Sequence, residues 1–289
     1  MRARADLDDL DPQLMTDDEL RHYLAQRSWY HTIELRPGVE TPGWFDTRRT
    51  AARLPWPDLS GARCLDVGTF EGFWAREMQR RGAAEVVAID ILDPRKWDWP
   101  AGSTDALLAI LGERKQFGEG FAFVNRALGS RIDHREMSVY ELDPDTVGQF
   151  DMVYVGSLLL HLRDPIGALQ RVRRVCRPSA RVLLVDAIDL ELTLRHPRRP
   201  LAALDAVGRP WWWKPNASAL ARMVAAAGFD VAWRSGPIYL RPGLGQRLPR
   251  FRPSWPFTRD GREAIVTKLR GNPHAAILAT PSAEPDTQG

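Results

Sequence analysis

The stretch CLDVGTFEGFWA, Cys64 to Ala75, constrains the fold of this chain more than any other. An apolar strand runs into Asp66, a turn follows through Gly68-Thr69-Phe70-Glu71-Gly72, and a helical pattern starts at once. Strand, tight turn and helix in direct succession imply a βα unit, whose next strand lies parallel to the first. The turn resembles a nucleotide-binding loop with one glycine missing. A dinucleotide fingerprint needs a third glycine so that backbone and pyrophosphate can touch, and here bulky Phe70 sits in the middle.

The rhythm continues beyond the turn. FWAREMQRRG reads as a helix ended by Gly82, and EVVAID as a second strand ending in Asp90. Residues 104–128 form a longer helical stretch, and IDHREMSVYEL holds a third strand. FDMVYVGS is a fourth, DPIGALQRVRRVC a helix with Asp164-Pro165 at its start, and ARVLLVDAI a fifth strand. Strands alternating with helices predict an α/β fold with a doubly wound, mainly parallel sheet. The helix ASALARMVAAAGF and the strands DVAWRSG and AAILATP close the pattern. Residues 190–216 break it with four prolines and three adjacent tryptophans, Trp211, Trp212 and Trp213. We therefore expect a catalytic domain over 61–289 with a cap inserted at about 190–216 and 236–260. Residues 1–60 precede it as an N-terminal region. Its first twelve residues are loose, and the capping box Thr16-Asp17-Asp18-Glu19 opens a helix to about Arg27. An irregular, aromatic arm rich in Pro and Gly follows, with a short helix near Asp46 to Arg53.

Composition excludes several classes. With 44% hydrophobic and 27% charged residues the chain is of ordinary globular type. Its longest apolar run, Met152 to Leu160, is too short to span a bilayer. The acidic, polar start argues against a secretory signal. Cys64 and Cys176 are too few for a disulfide framework or a metal set, so a reduced, cytoplasmic protein without a metal centre is the expectation. Residues 234–270 hold nine basic residues against two acids, with Tyr239, Phe251, Trp255 and Phe257 interleaved. Such a segment either contacts nucleic acid or is a solvated face paired with the protein's own acids.

The turn suits an amino acid better than a pyrophosphate. A helix N-terminus offers free N–H groups and partial positive charge to a carboxylate. Asp66, at the strand's end, would attract an ammonium, with Gly68, Thr69 and Gly72 shaping the loop. Asp90, ending the next strand, is placed to accept both ribose hydroxyls. An amino acid joined to an adenosine is S-adenosylmethionine. Ile91, Ser138 and Val139 would then border the adenine, and Gly156 and Ser157 the methyl group.

The quoted turn, VVAIDI, SVYEL, FDMVYVGSLLLHLRDPIGAL and WWWKPNASALARMVAAAGF together resemble a class I S-adenosylmethionine-dependent methyltransferase with a Rossmann-like sheet. They are similar in particular to the group built around the tRNA wobble-uridine 5-methoxyuridine/5-carboxymethoxyuridine methyltransferase. The resemblance runs from about Trp29 to Pro281. In that group a carboxylated donor is clasped by a lysine ahead of the core, with tryptophan and tyrosine. This chain has no lysine before Lys96, the arm offering His31, Arg36, Arg48 and Arg49 instead, and Leu160 replaces the tyrosine before His161. An unpaired buried carboxylate costs several kcal/mol, so ordinary S-adenosylmethionine is the expected donor.

Catalytic candidates are His161, which follows the fourth strand at the ligand-binding edge, and His31 in the arm. The alternative for His161 is capping of the next helix together with Asp164. Trp29, Tyr30 and Trp44 from the arm, with Trp212, Trp213 and Asn216 from the cap, are candidate substrate contacts. The tryptophan cluster reads equally as a core anchor with a homodimer contact. Three functions follow: O-methylation of a small planar or glycosylated metabolite; tRNA methylation, with Arg195, Arg198, Arg199 and the basic segment on phosphates; or a non-catalytic donor-binding assembly partner.

Overall fold

The computed structural model describes residues 11–102, 118–204, 206 and 209–283. The loose residues expected before position 11, and the part of the helical stretch over 104–117, lie outside them. The strands are β1 (Trp29–His31), β2 (Glu34–Arg36), β3 (Val39–Glu40), β4 (Gly43–Asp46), β5 (Arg63–Val67), β6 (Glu85–Asp90) and β7 (Asp133–Glu136). There follow β8 (Phe150–Gly156), β9 (Cys176–Ala187), β10 (Ala202–Leu204), β11 (Trp213–Pro215), β12 (Phe229–Arg234), β13 (Ile238–Pro242) and β14 (Asn272–Pro281). The helices are α1 (Asp17–Ala25), α2 (Arg48–Ala51), α3 (Phe73–Arg80), α4 (Glu119–Ala127) and α5 (Pro144–Val147). After these come α6 (Pro165–Arg174), α7 (Leu190–Arg195), α8 (Ala217–Ala226) and α9 (Arg259–Leu269).

Parallel pairing runs β7-β6-β5-β8-β9, and β14 lies antiparallel on β9. Strands buried on both faces read as unbroken apolar runs, which is why β5, β6, β8 and β9 were visible in the sequence; β7, at the sheet edge, is polar and has no such run. Leu65, Val67, Val153 and Val155 point to the side covered by α6 and α8. Cys64, Met152 and Tyr154 point to the other, against α1, α3 and α4. The result is the expected α/β sheet with helices on both faces.

Two expectations change. The arm is not irregular: β1 and β4 pair in parallel, and β4 pairs antiparallel with β13, so the arm extends the central sheet. Its strands are two to four residues long and set among Pro and Gly, too short for a periodic signal. For the same reason part of the expected cap at 236–260 is sheet: β13 bridges β14 to the arm, with Leu240 2% exposed between Tyr239 and Arg241. The other cap segment carries α7 and the β10–β11 hairpin. No helix among the described residues is long and apolar enough to cross a membrane.

Candidate active site

At the tip of β5 the turn carries three left-handed residues before the helix, Gly68, Phe70 and Gly72. Gly68 has φ +77°, and its N–H donates to the Ile89 carbonyl at 2.9 Å. Phe70, with φ +48°, is a bulky residue in a region that costs about 1–3 kcal/mol. Its N–H donates to Asp90 Oδ2 at 2.8 Å, a charge-assisted bond that offsets about 1.5–3 kcal/mol. The Ile91 N–H donates to Oδ1 of the same carboxylate at 2.8 Å. Asp90 is thus anchored from behind by two backbone donors, and it lines a cavity in front. Gly72 serves packing: with φ +83°, a Cβ there would stand 2.5 Å from the Phe121 ring.

Asp66 departs from its expected role. Its carboxylate is 1% exposed and faces the helix side of the sheet, where it accepts Thr69 Oγ1 at 2.7 Å and the Ala75 N–H at 3.0 Å. Neither Asp66, Thr69 nor Gly72 lines the cavity. The side chain alternates away from it because Val67, next along β5, takes the cavity face. Burial pushes the Asp66 carboxyl up to about 7, against the pull of those two hydrogen bonds. Behind it, burial lowers the Arg76 guanidinium to about 10, and Arg76 donates to the Glu71 and Gly72 carbonyls.

The cavity has a volume of about 290 Å³, at the low end for small-molecule sites. Of the residues expected at the donor, Gly68, Asp90, Ile91, Ser138, Val139 and Gly156 line it, as does Ser157. Of the aromatic candidates, Tyr30 and Trp44 line it; Tyr30 stacks on Phe70 with centroids 4.4 Å apart. Trp29 does not: it is 2% exposed in the core beside Phe123, its indole N–H donating to the Leu24 carbonyl. Asn216 is fully buried and caps α8 through Ala219 N–H, while its amide holds the His196 and Arg199 carbonyls. Trp212 and Trp213 stand outside the lining, donating to the carbonyls of Asp98 and Arg163.

The two histidines separate. His31 is buried against Glu71, whose carboxylate also takes the N–H groups of Tyr30 and His31, and it stacks on Phe73. It does not reach the cavity. His161 does, with Nδ1 2.6 Å from the Pro210 carbonyl. A carbonyl only accepts, so Nδ1 carries the proton and Nε2 the lone pair. Burial holds the imidazole below its ordinary 6.5. Asp164, not His161, caps the following helix, accepting the Gly167 N–H.

Sequence reasoning missed several lining groups. Trp97, Asp98 and Trp99 follow Asp90 by one loop, and Asp98 is fixed by Tyr140 Oη at 3.1 Å and the Arg163 N–H at 2.6 Å. The Trp-Asp-Trp triplet was the available signal. Behind the lining, His274 from β14 was unforeseeable: it meets the lining residue Ser157 at Oγ, 3.0 Å from its Nε2, with Nδ1 on the Asn272 carbonyl. The same tautomer argument makes Ser157 the donor to His274, and the Tyr30 hydroxyl bonds to Ser157 in turn. Ser157 is left-handed, with φ +50°. Burial depresses His274 to about 4 and raises the Tyr30 phenol well above its usual range, so both stay neutral at neutral pH.

A carboxylate at the second strand's tip, its two oxygens anchored by backbone N–H groups, and apolar and indole walls fit an adenosyl ligand. This sheet is that of a class I S-adenosylmethionine-dependent methyltransferase. Residues 44–232 match the family model described as a methyltransferase domain, and the chain belongs to that family. Among curated proteins it is 25% identical over 165 residues to the ubiquinone biosynthesis O-methyltransferase of Pseudomonas aeruginosa PAO1, covering 56% of this chain and 58% of that one. It is 27% identical over 179 residues to the Acinetobacter baylyi protein of the same name, covering 60% and 61%. The chain spans less than two thirds of these relatives' length. Among solved structures, the N-terminal domain of EvdMO1, determined in the presence of SAH and D-fucose, shares the fold. Its TM-score is 0.54 at 16% identity, over 93% of this chain and 98% of that one.

Proposed function

We propose that the chain methylates an oxygen of a small planar or glycosylated acceptor, with His161 as general base. The observation that carries this is the tautomer of His161, a residue of the cavity lining: neutral, with Nδ1–H fixed on Pro210 and Nε2 unprotonated. A hydroxyl loses its proton as its oxygen is methylated, and a positioned base at that point contributes about 10²–10⁴-fold. When bound, S-adenosylmethionine supplies an electrophilic methyl group. The rest is positioning, which can contribute about 7–11 kcal/mol. In this reading Asp90 holds the ribose hydroxyls, while Ile91, Trp97, Ser138 and Val139 enclose the adenine. Gly68, Gly156 and Ser157 border the methionyl end. Tyr30 and Trp44 wall the acceptor. The names of the curated relatives favour oxygen over nitrogen.

Lys96 is the one lysine or arginine lining the cavity among the described residues, and it faces Glu136 at 3.6 Å. Leu160 is buried outside the lining. The apolar Leu160 favours the ordinary donor over a carboxylated one.

The test supplies the protein with radiolabelled methyl donor and either a small-molecule cell extract or total tRNA. Label should enter the small-molecule pool, and His161→Gln should slow its entry by about 10²–10⁴-fold while S-adenosylhomocysteine binding stays intact. Label in tRNA alone would replace this reading with the wobble-uridine one. Donor binding with no label in either pool would point to an assembly partner.

A further inference from the structure

We propose that residues 241–257 form a face that docks the protein peripherally on an anionic lipid surface. From Ser235 to Arg259 the chain has five arginines and no acidic residue. Arg241, Arg247, Arg250 and Arg252 are exposed and make no ion pair among the described residues. Their neighbours Arg209, Arg259 and Arg262 are all paired, with Asp260, Asp189 and Glu191. Own-acid pairing, the bland explanation for a basic segment, therefore stops where this face begins.

Apolar tips stand between those arginines. Leu244 is 84% exposed, Phe257 85% and Phe251 59%. They are held out by an anchored backbone. Gly243 N–H donates to the Trp44 carbonyl at 2.7 Å and Gly245 N–H to that of Gly43 at 3.0 Å. Trp255, 8% exposed, pins the next turn and meets Phe251 edge-on at 5.6 Å.

Cation and apolar tip interleaved on one strip match the boundary between headgroup and acyl chain, where guanidinium groups keep the phosphates and the tips leave water. A second copy fits worse, because a two-fold interface would set arginine against arginine. A polynucleotide would satisfy the arginines but leave Leu244 in water. Trp44 also lines the cavity, so the face continues from the cavity wall. The inference stands without the methyl-transfer reading, and its test needs no acceptor.

The full chain is sedimented with phosphatidylcholine vesicles with and without phosphatidylglycerol. Binding should require the anionic lipid and weaken with salt. Replacing Arg247, Arg250 and Arg252 by Gln should lower partition by about 100-fold, roughly fivefold per arginine. Leu244→Gln with Phe257→Gln should lower it roughly tenfold or more. Melting temperature and S-adenosylhomocysteine binding should stay unchanged in both, since these side chains are exposed. Equal partition onto both vesicle types, or no effect of the apolar pair, would overturn the proposal. So would vesicle-independent binding to polyuridylate RNA that the arginine variant abolishes, or a dimer that masks the face.

Discussion

Asp66→Asn asks whether the carboxylate of the turn belongs to the protein interior or to the ligand. Burial dominates its environment and raises it from an ordinary 3.8 to about 7; the bonds from Thr69 and Ala75 oppose the rise, Asp90 adds to it and Arg76 counters it. The folded state therefore keeps a proton that the unfolded chain releases between about pH 4 and 7. A raised carboxyl contributes stability that is present below that window and lost as pH rises through about 7. The span of about three pH units corresponds to about 4 kcal/mol. Asparagine has nearly the same shape, its Oδ1 can accept the same two bonds, and it does not titrate. Urea unfolding of both proteins near pH 4 and near pH 8 should thus show the variant gaining about 4 kcal/mol on the parent at the alkaline end. Asp186, raised to about 6, is present in both and cancels. Calorimetry should find S-adenosylhomocysteine affinity unchanged. A stability difference independent of pH, together with lost ligand affinity, would refute the reasoning and return Asp66 to the role its sequence position implies.

Three further outcomes follow from the site. Asp90→Ala should weaken S-adenosylhomocysteine by about 100-fold in calorimetry, because two hydroxyls lose a charged acceptor; a change below threefold would dismiss the ribose role. Gly72→Ala should cost at least about 2 kcal/mol in urea unfolding, since the added Cβ meets Phe121 at 2.5 Å and the backbone is left-handed. His161→Gln should lower kcat by about 10²–10⁴-fold with donor affinity kept. In the parent, activity should persist as pH falls past 6.5 and drop only below it, because burial lowers the imidazole; a limb above 6.5 would assign the base elsewhere.

The sheet was legible where strands are buried on both faces, and β5, its turn and α3 were readable as elements, though not the direction in which Asp66 and Thr69 point. The place of Asp90 at a strand tip on the cavity was legible because strand ends in such sheets are fixed by the chain's own rhythm. The arm was not, because which of its aromatics face the cavity depends on parity in β1, set by pairing with β4 and, through it, with a strand some 200 residues on. Adjacent residues of a strand point opposite ways. Tyr30 therefore meets Phe70 and the cavity, while Trp29 and His31 turn inward. Asn216 stands beside the tryptophans, which suggests a substrate contact, but its place directly before ASALARMV is a helix-cap signature, and the cap is what it forms.

The bulky residue in the turn has a structural reason. A glycine at position 70 would adopt φ +48° without strain, yet Tyr30 would lose its stacking partner and Trp97 its edge contact at 6.0 Å. Two aromatic contacts at about 0.5–1.5 kcal/mol each, with the area the ring buries, offset a strain of about 1–3 kcal/mol; the Asp90 bond comes from the backbone N–H and favours neither residue. Glu71 then fixes the same arm strand through the N–H groups of Tyr30 and His31. A pyrophosphate could not approach such a turn, but an aromatic arm can be built on it. The residue that makes the loop a poor dinucleotide site is the platform for the cavity's opposite wall, so any change at Phe70 must move the donor end and the arm together.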